Sequence, residues 1–431
     1  MKIPPVKGTR DFYPQDMAVR NWIIDGWKKV SLRNGFEEYD GPIFEYLKMF
    51  QVKSGDEIVE QLFSFQDRGG RELALRPEIT PTLARMVNQR INSLPRPIKW
   101  FSVPRLCRAE RPQKGRLREF FQWNVDIIGV DDVLADAEVI FCAVDYLREV
   151  GLTPDDIVVK ISSRKMLSAL LHAIGVSNDL EAVYAVLDKR SKLADDAFAQ
   201  LLAETLTEAD KRAKILQLMS VESIDQIDNV VDLTTQAKES VDELSRLFEL
   251  LAVMGVGDYC VFDIGIVRGL AYYTGIVYEI YDKASELRAI GGGGRYDDLL
   301  KLFGGPSIPA TGFGIGDCVL AILVEEKGLL HKQLPAPKLD YFVACVDEPY
   351  RQAVVKLTMK LRSAGWTASF SYKAAKLSKQ LKEASDQNAR RCVIIGSEIE
   401  NDQLIVKNMA TGEQESIKLG KFLQQCHVEL R

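Results

Sequence analysis

The first regular pattern of apolar residues along the chain indicates an amphipathic helix close to the N-terminus. In PQDMAVRNWIIDGWKKVSLRNG the apolar side chains recur near helical spacing, and Gly35 stands where such a helix would end. The side chains concerned are Val19, Trp22, Ile23, Trp27 and Val30. We expect them to form one buried face.

Alternating apolar and polar positions then predict antiparallel strands. LFSFQ and RELALRP flank the turn-like DRGG, whereas IKWFSVPRLCRAER and LREFFQWNVDIIGV flank the polar loop RPQKGR. Residues 131–150 follow as a helix ending before Gly151, and one of its faces is formed by Leu134, Ala137, Phe141, Val144 and Leu147. Strands joined by hairpins and followed by helices predict an α+β fold built on an antiparallel sheet.

The middle of the chain changes character. From about 164 to 255 it is rich in Ala and Leu and is typical of helices, which predicts a helical insertion between two halves of one sheet. Strand patterns resume at DYCVFDIGIVRG and continue through GIVYEIYD and RAIGGGGRYDDLL, and GFGIGDCVLAILVEE returns to a helix.

A proline-containing linker at 326–338 separates this core, residues 1–325, from the rest. Beyond it, over 339–431, the pattern βαβαβ predicts a small α/β domain. No GxGxxG follows the first strand of that domain, so a dinucleotide site is not expected there.

Composition narrows the chemistry that the chain can perform. With 431 residues, 46% hydrophobic and 27% charged, it is expected to form several globular domains. Its 7 cysteines contain no CxxC pair and its 3 histidines have no nearby partners at ligand spacing. We therefore expect no zinc site, no disulfide scaffold, no other bound metal centre and no Ser-His-Asp triad. Catalysis would then depend on arginines, carboxylates and tyrosines acting on an anionic substrate.

Charge is distributed unevenly along the sequence. The segment from Pro335 to the end holds 15 Lys and Arg against 11 Asp and Glu, although the whole chain has a net charge of −5. Such asymmetry favours contact of the tail with a polyanion, and an ordinary solvated surface is the alternative. No apolar run approaches the ~20 residues of a membrane span. MKIPPVKGTR lacks the apolar core of a signal peptide, so we expect a cytoplasmic protein with no membrane partner.

One hairpin concentrates positive charge. RAERPQKGRLREFFQ carries Glu110 amid five basic residues, which are Arg108, Arg111, Lys114, Arg116 and Arg118. Guanidinium groups suit phosphate oxygens because each offers a planar, bidentate fork, and one of the rings of Phe120 and Phe121 could stack on a base. A merely solvated basic hairpin is the alternative.

Three further segments are ambiguous when taken singly. In ALRPEITPTLAR, Glu78 could neutralise an ammonium group, and Thr80 is interpreted as a helix N-cap before Pro81. The four glycines of RAIGGGGRYDDLL permit close approach of a ligand or of another strand. Arg268 in IVRGLAYYTG is either a surface residue or a cation directed at an anion in a pocket.

Together these segments resemble, in order, the motifs of the histidyl-tRNA synthetase family. KGTRDFYP, RPEIT, RAERPQKGRLREFFQ, IVRGLAYYTG and GGGGRYDDLL carry the resemblance, which runs over essentially the whole chain. KGTRDFYP and the motif 2-like hairpin are shared loosely with other class II aminoacyl-tRNA synthetases, whereas VRGLxYYTG and GGGGRYDDL are particular to the histidyl family. The resemblance implies a class II antiparallel sheet flanked by helices, a helical insertion and a C-terminal α/β anticodon-binding domain.

The resemblance also implies the reaction and its partners. Family members join the carboxylate of histidine to the α-phosphate of ATP, supplied with Mg²⁺, and then transfer the histidyl group to the 3′ end of tRNA(His). They act as homodimers, and GFEEYDGPIFEY resembles the class II motif 1 interface.

By this resemblance Arg108 and Arg268 are the catalytic cations at the α-phosphate, and Arg108 also contacts the substrate carboxylate. The ATP-binding residues are Arg108, Glu110 for the adenine amino group, Arg116 for the γ-phosphate and Phe120 for the adenine ring. The histidine-binding residues are Glu78, Ile79, Thr80, Arg108, Gln122, Asp126, Arg268, Tyr272, Tyr273 and Tyr296. Asp126 and Tyr273 would contact the two imidazole nitrogens. Asp126 lies four residues after Gln122, so both should face the same side of one strand.

Two positions depart from the family pattern. Ala271 stands where many members have Asp, and Val319 of GFGIGDCVL aligns with the motif 3 arginine that binds the γ-phosphate. Arg116 or Arg295 could compensate for the second departure. The competing interpretations are a catalytically silent paralogue that regulates histidine biosynthesis, a class II synthetase for another amino acid, and an RNA-binding protein without catalysis.

Overall fold

A computed structural model describes residues 3–53, 62–176, 180–187, 189–190, 193–267, 273–284, 286–330 and 339–428. The chain divides into two compact units, Met1–Lys332 and Gln333–Arg431. Among the helices in these ranges, none is long and apolar enough to cross a membrane.

The first unit contains two sheets. Its strands are β1 (Glu37–Glu38), β2 (Phe44–Tyr46), β3 (Ser64–Gln66), β4 (Glu72–Leu75), β5 (Ile98–Ser102), β6 (Arg105–Cys107), β7 (Glu119–Ile128), β8 (Ile157–Ser163), β9 (Cys260–Phe262), β10 (Ile276–Asp282), β11 (Gly291–Arg295) and β12 (Ala310–Gly316). The large sheet has the order β1-β5-β7-β12-β11-β10-β8-β9, with β6 paired to β7, and the small sheet has the order β2-β4-β3. Only the edge pairs β1–β5 and β8–β9 of the large sheet are parallel among these described strands. The predicted antiparallel α+β architecture is confirmed.

The helices of the first unit precede, separate and follow these strands in sequence. They are α1 (Pro14–Arg33), α2 (Leu47–Lys53), α3 (Thr80–Arg90), α4 (Val133–Glu149), α5 (Arg164–Ile174), α6 (Leu180–Leu187), α7 (Asp195–Thr205), α8 (Ala209–Leu218), α9 (Thr235–Val253), α10 (Leu299–Leu302) and α11 (Asp317–Glu326). Polar caps explain several of the boundaries. Ser163 accepts a hydrogen bond from the N–H of Met166 at the start of α5, and Gly175 ends that helix with φ of 91°.

One face of the large sheet is covered by α1 and α4. Trp27 of α1 stacks on Trp123 of β7 with ring centroids 6.0 Å apart, and Phe313 of β12 meets Trp123 edge-on at 4.7 Å. The indole N–H of Trp123 donates to the hydroxyl of Ser31 over 2.8 Å, so this buried polar group is satisfied. The packing places the odd-numbered residues of β7 in the core and leaves its even-numbered residues for the opposite face.

The single apolar face predicted for the helix at 131–150 is wrong in detail. Leu134 is 46% exposed, whereas the intervening Val139, Ile140 and Ala143 are fully buried. α4 contacts the sheet on one side and both α1 and α9 on others, so most of its circumference is covered. A helix buried on several sides does not show one clean stripe.

The second unit is an α/β domain. Its elements are β13 (Leu339–Cys345), α12 (Arg351–Ser363), β14 (Ala368–Phe370), α13 (Leu377–Asp386), β15 (Ala389–Ile395), β16 (Gln403–Asn408), β17 (Gln414–Lys418) and α14 (Leu419–Val428). The strand order is β14-β13-β15-β16-β17, with the first three strands parallel. The predicted βαβαβ unit is present, and the hairpin β16–β17 and helix α14 extend it beyond the prediction.

Candidate active site

The face of β7 that is turned away from the tryptophan core carries Gln122 and Asp126. Both residues pair with glycines of β12: Gln122 lies opposite Gly316, and Asp126 lies opposite Gly312. The spacing of four residues therefore puts the two side chains on the same side of the sheet, as the sequence predicted.

Three glycines beside these side chains form a surface that we call the glycine floor: Gly294 of β11 and Gly312 and Gly314 of β12. A Cβ added to Gly312 would be 2.3 Å from Oδ1 of Asp126, and one added to Gly314 would be 2.8 Å from the amide nitrogen of Gln122. At Gly294 an added Cβ would be 2.9 Å from the ring of Tyr273. At distances this short a neighbouring group would have to move, so the polar side chains reach their present positions because the floor has no side chains.

Tyr296 and Tyr273 stand at the edge of the floor. The hydroxyl of Tyr296 donates a hydrogen bond to Oδ1 of Asp126, and the rings of Tyr273 and Tyr296 have centroids 6.5 Å apart. Both rings belong to an apolar cluster that also contains Ile79. Asp126 is 4% exposed, so this carboxylate lies in a low-dielectric setting where hydrogen bonds are strong.

The segment Arg76 to Thr80 approaches the site from the small sheet. Glu78 is 8% exposed and Ile79 is fully buried. The guanidinium of Arg76 binds the carboxylate of Asp40 at 2.6 Å and the carbonyl of Arg105 at 3.0 Å, which ties this segment to β6. The N-cap role expected for Thr80 is wrong: α3 begins at Thr80, with Ile79 before it and no cap bond from a described side chain.

The basic hairpin of residues 108–118 supplies the next group of side chains. The Arg108 guanidinium donates to the carbonyl of Pro77 over 3.0 Å and lies 5.2 Å from the centroid of Phe120. The Arg108 side chain is thereby held between the segment Arg76 to Thr80 and β7. The carboxylate of Glu110, 7% exposed, forms an ion pair with the guanidinium of Arg116.

The segment that aligns with motif 3 forms the end of β12 and the start of α11, so the predicted helix over GFGIG is instead a strand. Val319 is 6% exposed, and a Cβ added to Gly115 of the basic hairpin would be 2.9 Å from its Cγ2. The position thus makes an apolar contact with the hairpin.

Arg295 does not replace the motif 3 arginine, contrary to one of the expectations from the sequence. Its guanidinium pairs with Asp136 of α4 and donates to the carbonyls of Val130 and Asp132 at 3.1 and 3.0 Å. Arg295 lies opposite Thr311 on the sheet, one residue out of step with the glycine floor, so it faces the core. Burial raises the pKa of Asp136 to about 6, and Arg295 opposes that rise.

Arg268, Ala271 and Tyr272 lie outside the described residues. Sequence reasoning missed Gly312 and Gly314, whose alternation in GFGIG was the available signal. It also missed Tyr39, whose ring packs 5.5 Å from Trp100, the residue opposite Asp126 on β5. Burial, with Asp126 nearby, raises the pKa of Tyr39 well above its usual value. In the described ranges no three His, Cys, Asp or Glu side chains are grouped as ligands for a metal ion.

The family model described as histidyl-tRNA synthetase matches residues 8–316, and the model described as anticodon binding domain matches residues 340–427.

Full-length relatives agree with the family models. The histidine–tRNA ligase, chloroplastic/mitochondrial, of Arabidopsis thaliana is 42% identical over 97% of this chain and 85% of its own length. The histidine–tRNA ligase of Thermoplasma volcanium is 37% identical over 98% of both chains. In fold, the histidyl-tRNA synthetase from Nostoc sp. PCC 7120 superposes with a TM-score of 0.83 at 23% identity over the full length of both chains. The apo histidyl-tRNA synthetase of S. aureus superposes with a TM-score of 0.73 at 26% identity over 99% of this chain and 100% of its own. The chain belongs to the histidyl-tRNA synthetase family.

Proposed function

We propose that the chain is a histidine–tRNA ligase that activates histidine with ATP and transfers the histidyl group to the 3′ end of tRNA(His). Support comes from the family membership, from relatives named histidine–tRNA ligase and from the site beside the glycine floor. The observation that carries the proposal is the buried Asp126–Tyr296 pair on the same sheet face as Gln122. A buried carboxylate that is fixed by a phenol, as Asp126 is by Tyr296, can hydrogen-bond an imidazole nitrogen and reject rings that lack it.

The proposed histidine site consists of Glu78, Ile79, Thr80, Arg108, Gln122, Asp126, Arg268, Tyr272, Tyr273 and Tyr296. Glu78, Thr80 and Gln122 would bind the α-amino group, while Asp126 and Tyr273 would contact the ring nitrogens. Because Asp126 and Glu78 are both almost fully buried, their hydrogen bonds to histidine would form away from bulk water.

In the activation step an oxygen of the histidine carboxylate attacks the α-phosphorus of ATP. The bond from that phosphorus to the bridging oxygen breaks, and pyrophosphate leaves with the electron pair. Two anions must approach each other, so Arg108 and Arg268 are proposed to stabilise the charge that develops at the α-phosphate. The bond from Arg108 to the carbonyl of Pro77 orients its guanidinium before substrates bind.

Glu110, Arg116 and Phe120 complete the proposed ATP site. Glu110 and Arg116 form an ion pair with each other, so ATP has to break this pair when it binds. Glu110 would then contact the adenine amino group, and Arg116 would contact the γ-phosphate. Mg²⁺ is proposed to enter with ATP, because Mg²⁺ prefers oxygen ligands and is commonly bound through substrate phosphates. It would neutralise part of the phosphate charge.

The second step requires tRNA. We propose that residues 1–325 form the catalytic core with a helical insertion at about 164–255, that 326–338 link it to 339–431, and that the latter binds the anticodon. A cytoplasmic location is part of this proposal, although the name of the Arabidopsis relative includes chloroplastic/mitochondrial.

A homodimer is also proposed. Apolar side chains are exposed on the small sheet and the segment before it, where Ile43, Phe44 and Tyr46 are 44%, 48% and 58% exposed. Contiguous exposed apolar residues favour a protein interface. Sedimentation equilibrium would give twice the chain mass, and a monomer at micromolar concentration would contradict this part of the proposal.

Exchange of labelled pyrophosphate into ATP tests the enzymatic proposal. We expect exchange with histidine and Mg²⁺ and none with the other amino acids, and folded protein that gives no exchange with histidine overturns it. The same outcome would favour the silent paralogue. Arg268→Ala should reduce exchange far more than histidine binding, because the charge acts mainly in the transition state. Equal losses would make Arg268 a binding group only.

A further inference from the structure

The N-terminal residues 7–12 lie against the hairpin that carries the proposed ATP-binding residues. The N–H of Arg118 donates to the carbonyl of Gly8 over 2.8 Å. A Cβ added to Gly8 would be 2.6 Å from Cγ of Pro112. Because Pro112 and Arg118 lie on opposite arms of the hairpin, this segment contacts both arms at one residue.

A carboxylate at the start of α11 makes the second attachment. Arg10 donates from its guanidinium to Oδ2 of Asp317 over 2.6 Å, and the N–H of Phe121 donates to Oδ1 of Asp317 over 3.0 Å. Asp317 is 3% exposed. One nearly buried carboxylate therefore joins the N-terminal segment to the beginning of β7, next to Phe120.

Stacked cations and rings reinforce the attachment. The guanidinium of Arg10 lies 4.9 Å from the centroid of Phe12, and that of Arg20 lies 5.2 Å from the centroids of both Phe12 and Phe121. The guanidinium of Arg105 also lies 4.9 Å from the centroid of Phe121. Cations over aromatic faces are attracted by the ring quadrupole, so these groups favour a single arrangement of the segment.

Position 319, two residues after Asp317, is occupied by an apolar residue, and Val319 lies against Gly115 of the hairpin. α11 and the hairpin are also joined by the ion pair of Lys114 with Glu326 at 3.0 Å, and both of these side chains are substantially exposed. Exposed ion pairs contribute little to holding a loop. The ion pair of Arg10 with Asp317, by contrast, has a nearly buried carboxylate.

We propose that Arg10 is a positioning residue for the ATP site. Arg10 holds Asp317, and Asp317 in turn fixes the N–H of Phe121. This places the ring of Phe120 and the two arms of the hairpin in the arrangement that binds ATP. Arg10 itself does not touch the substrate. The inference rests on the proposed function, since it assigns the hairpin to ATP.

The test compares Arg10→Gln, Arg10→Lys and a control, Lys29→Gln, which removes the exposed ion pair of Lys29 with Glu149. Pyrophosphate exchange gives the KM for ATP and for histidine. Loss of a charge-assisted hydrogen bond should raise the KM for ATP about tenfold in Arg10→Gln. The KM for histidine should stay within about twofold, and Arg10→Lys should recover most of the loss because it keeps the charge. Lys29→Gln should match the wild type.

Amide hydrogen exchange provides a readout that does not depend on activity. In Arg10→Gln the amides of Arg118 and Phe121 should exchange about tenfold faster, while those of Val125 and Ile127 on the same strand should not change. If the wild type exchanges pyrophosphate and Arg10→Gln has an unchanged KM for ATP, the proposal is overturned. Uniformly faster amide exchange, which would indicate a general loss of stability, also overturns it. If the wild type exchanges no pyrophosphate the proposed function fails, and the amide comparison alone still decides whether Arg10 holds the hairpin.

Discussion

The hydroxyl of Tyr296 donates a hydrogen bond to the carboxylate of Asp126 across the intervening strand β12, and both residues are almost fully buried. Gly312 makes this bond possible, since any side chain there would occupy the space between them. If Asp126 binds histidine as proposed, this bond fixes the direction of its carboxylate before the substrate binds. Preorganised polar groups of this kind lower the cost of binding.

Tyr296→Phe should weaken histidine binding without unfolding the protein. Removing one hydrogen bond to a buried carboxylate is expected to cost about 1–3 kcal/mol, which raises the KM for histidine about tenfold or more. The KM for ATP should change little. Tyr259→Phe is the matched control, because that hydroxyl bonds the distant carbonyl of Leu152 at 3.1 Å. Similar effects of the two substitutions on the KM for histidine would contradict the role assigned to Tyr296.

Gly312→Ala should strongly reduce histidine activation. The new Cβ would lie 2.3 Å from Oδ1 of Asp126 and 2.6 Å from the carbonyl oxygen of Val125, so either the side chain or the strand must move. We expect exchange activity to fall by about two orders of magnitude, in line with an overpacking cost of about 1–3 kcal/mol placed directly at the site. Gly316→Ala on the same strand is the control, since a Cβ there meets nothing within 4 Å. Equal activity of both variants would show that the floor is not required.

Glu110→Gln should affect ATP recognition selectively. The change removes the ion pair with Arg116 and the carboxylate proposed to accept from the adenine amino group. We expect the KM for ATP to rise about tenfold, the KM for histidine to stay constant, and the preference for ATP over GTP to decrease. Arg111→Ala, at an exposed position on the same hairpin, serves as the comparison. An unchanged nucleotide preference would remove Glu110 from the adenine site.

Arg295→Met should destabilise the first unit by about 3–5 kcal/mol, because it leaves the carboxylate of Asp136 buried without its cation. Burial raises the pKa of Asp136 from 3.8 to about 6 even though Arg295, beside the carboxylate, acts to lower it. Because the pKa of Asp136 is higher in the folded than in the unfolded protein, protonation of this carboxylate stabilises the fold. This contribution is fully present below about pH 4 and is lost as the pH rises through about 6. Without Arg295 that pKa rises further, so the destabilisation should increase between pH 6 and 8.

Urea unfolding monitored at several pH values measures this effect. Arg246→Met is the control, because its ion pair with Asp132 is exposed and should contribute less than about 1 kcal/mol at any of these pH values. A pH-independent loss in Arg295→Met would show that the pKa of Asp136 does not depend on Arg295.

The family resemblance implied Gln122 and Asp126 as site residues, and their spacing predicted that both face one side of one strand, which the structure confirms. A period of two places Gln122 and Asp126 on one face whatever else the fold does. The helix predicted over GFGIG is wrong: the apolar residues that follow do form a helix, but the glycines alternate with Phe313 and Ile315 at the period of a strand, and the segment belongs to β12. Arg295 was misjudged for another reason: its partner Asp136 is 159 residues away in sequence, and only the folded sheet brings them together.

The floor of the site consists of backbone, and this limits how the site can change by mutation. At Gly294, Gly312 and Gly314 every substitution adds atoms, so a mutation at these positions can reduce the volume of the site but cannot increase it. Enlarging or reshaping the pocket for a different amino acid must therefore come from the walls, through residues such as Tyr273, Tyr296 and Gln122. Changes of substrate preference selected in the laboratory should accumulate in those walls and leave the three glycines untouched.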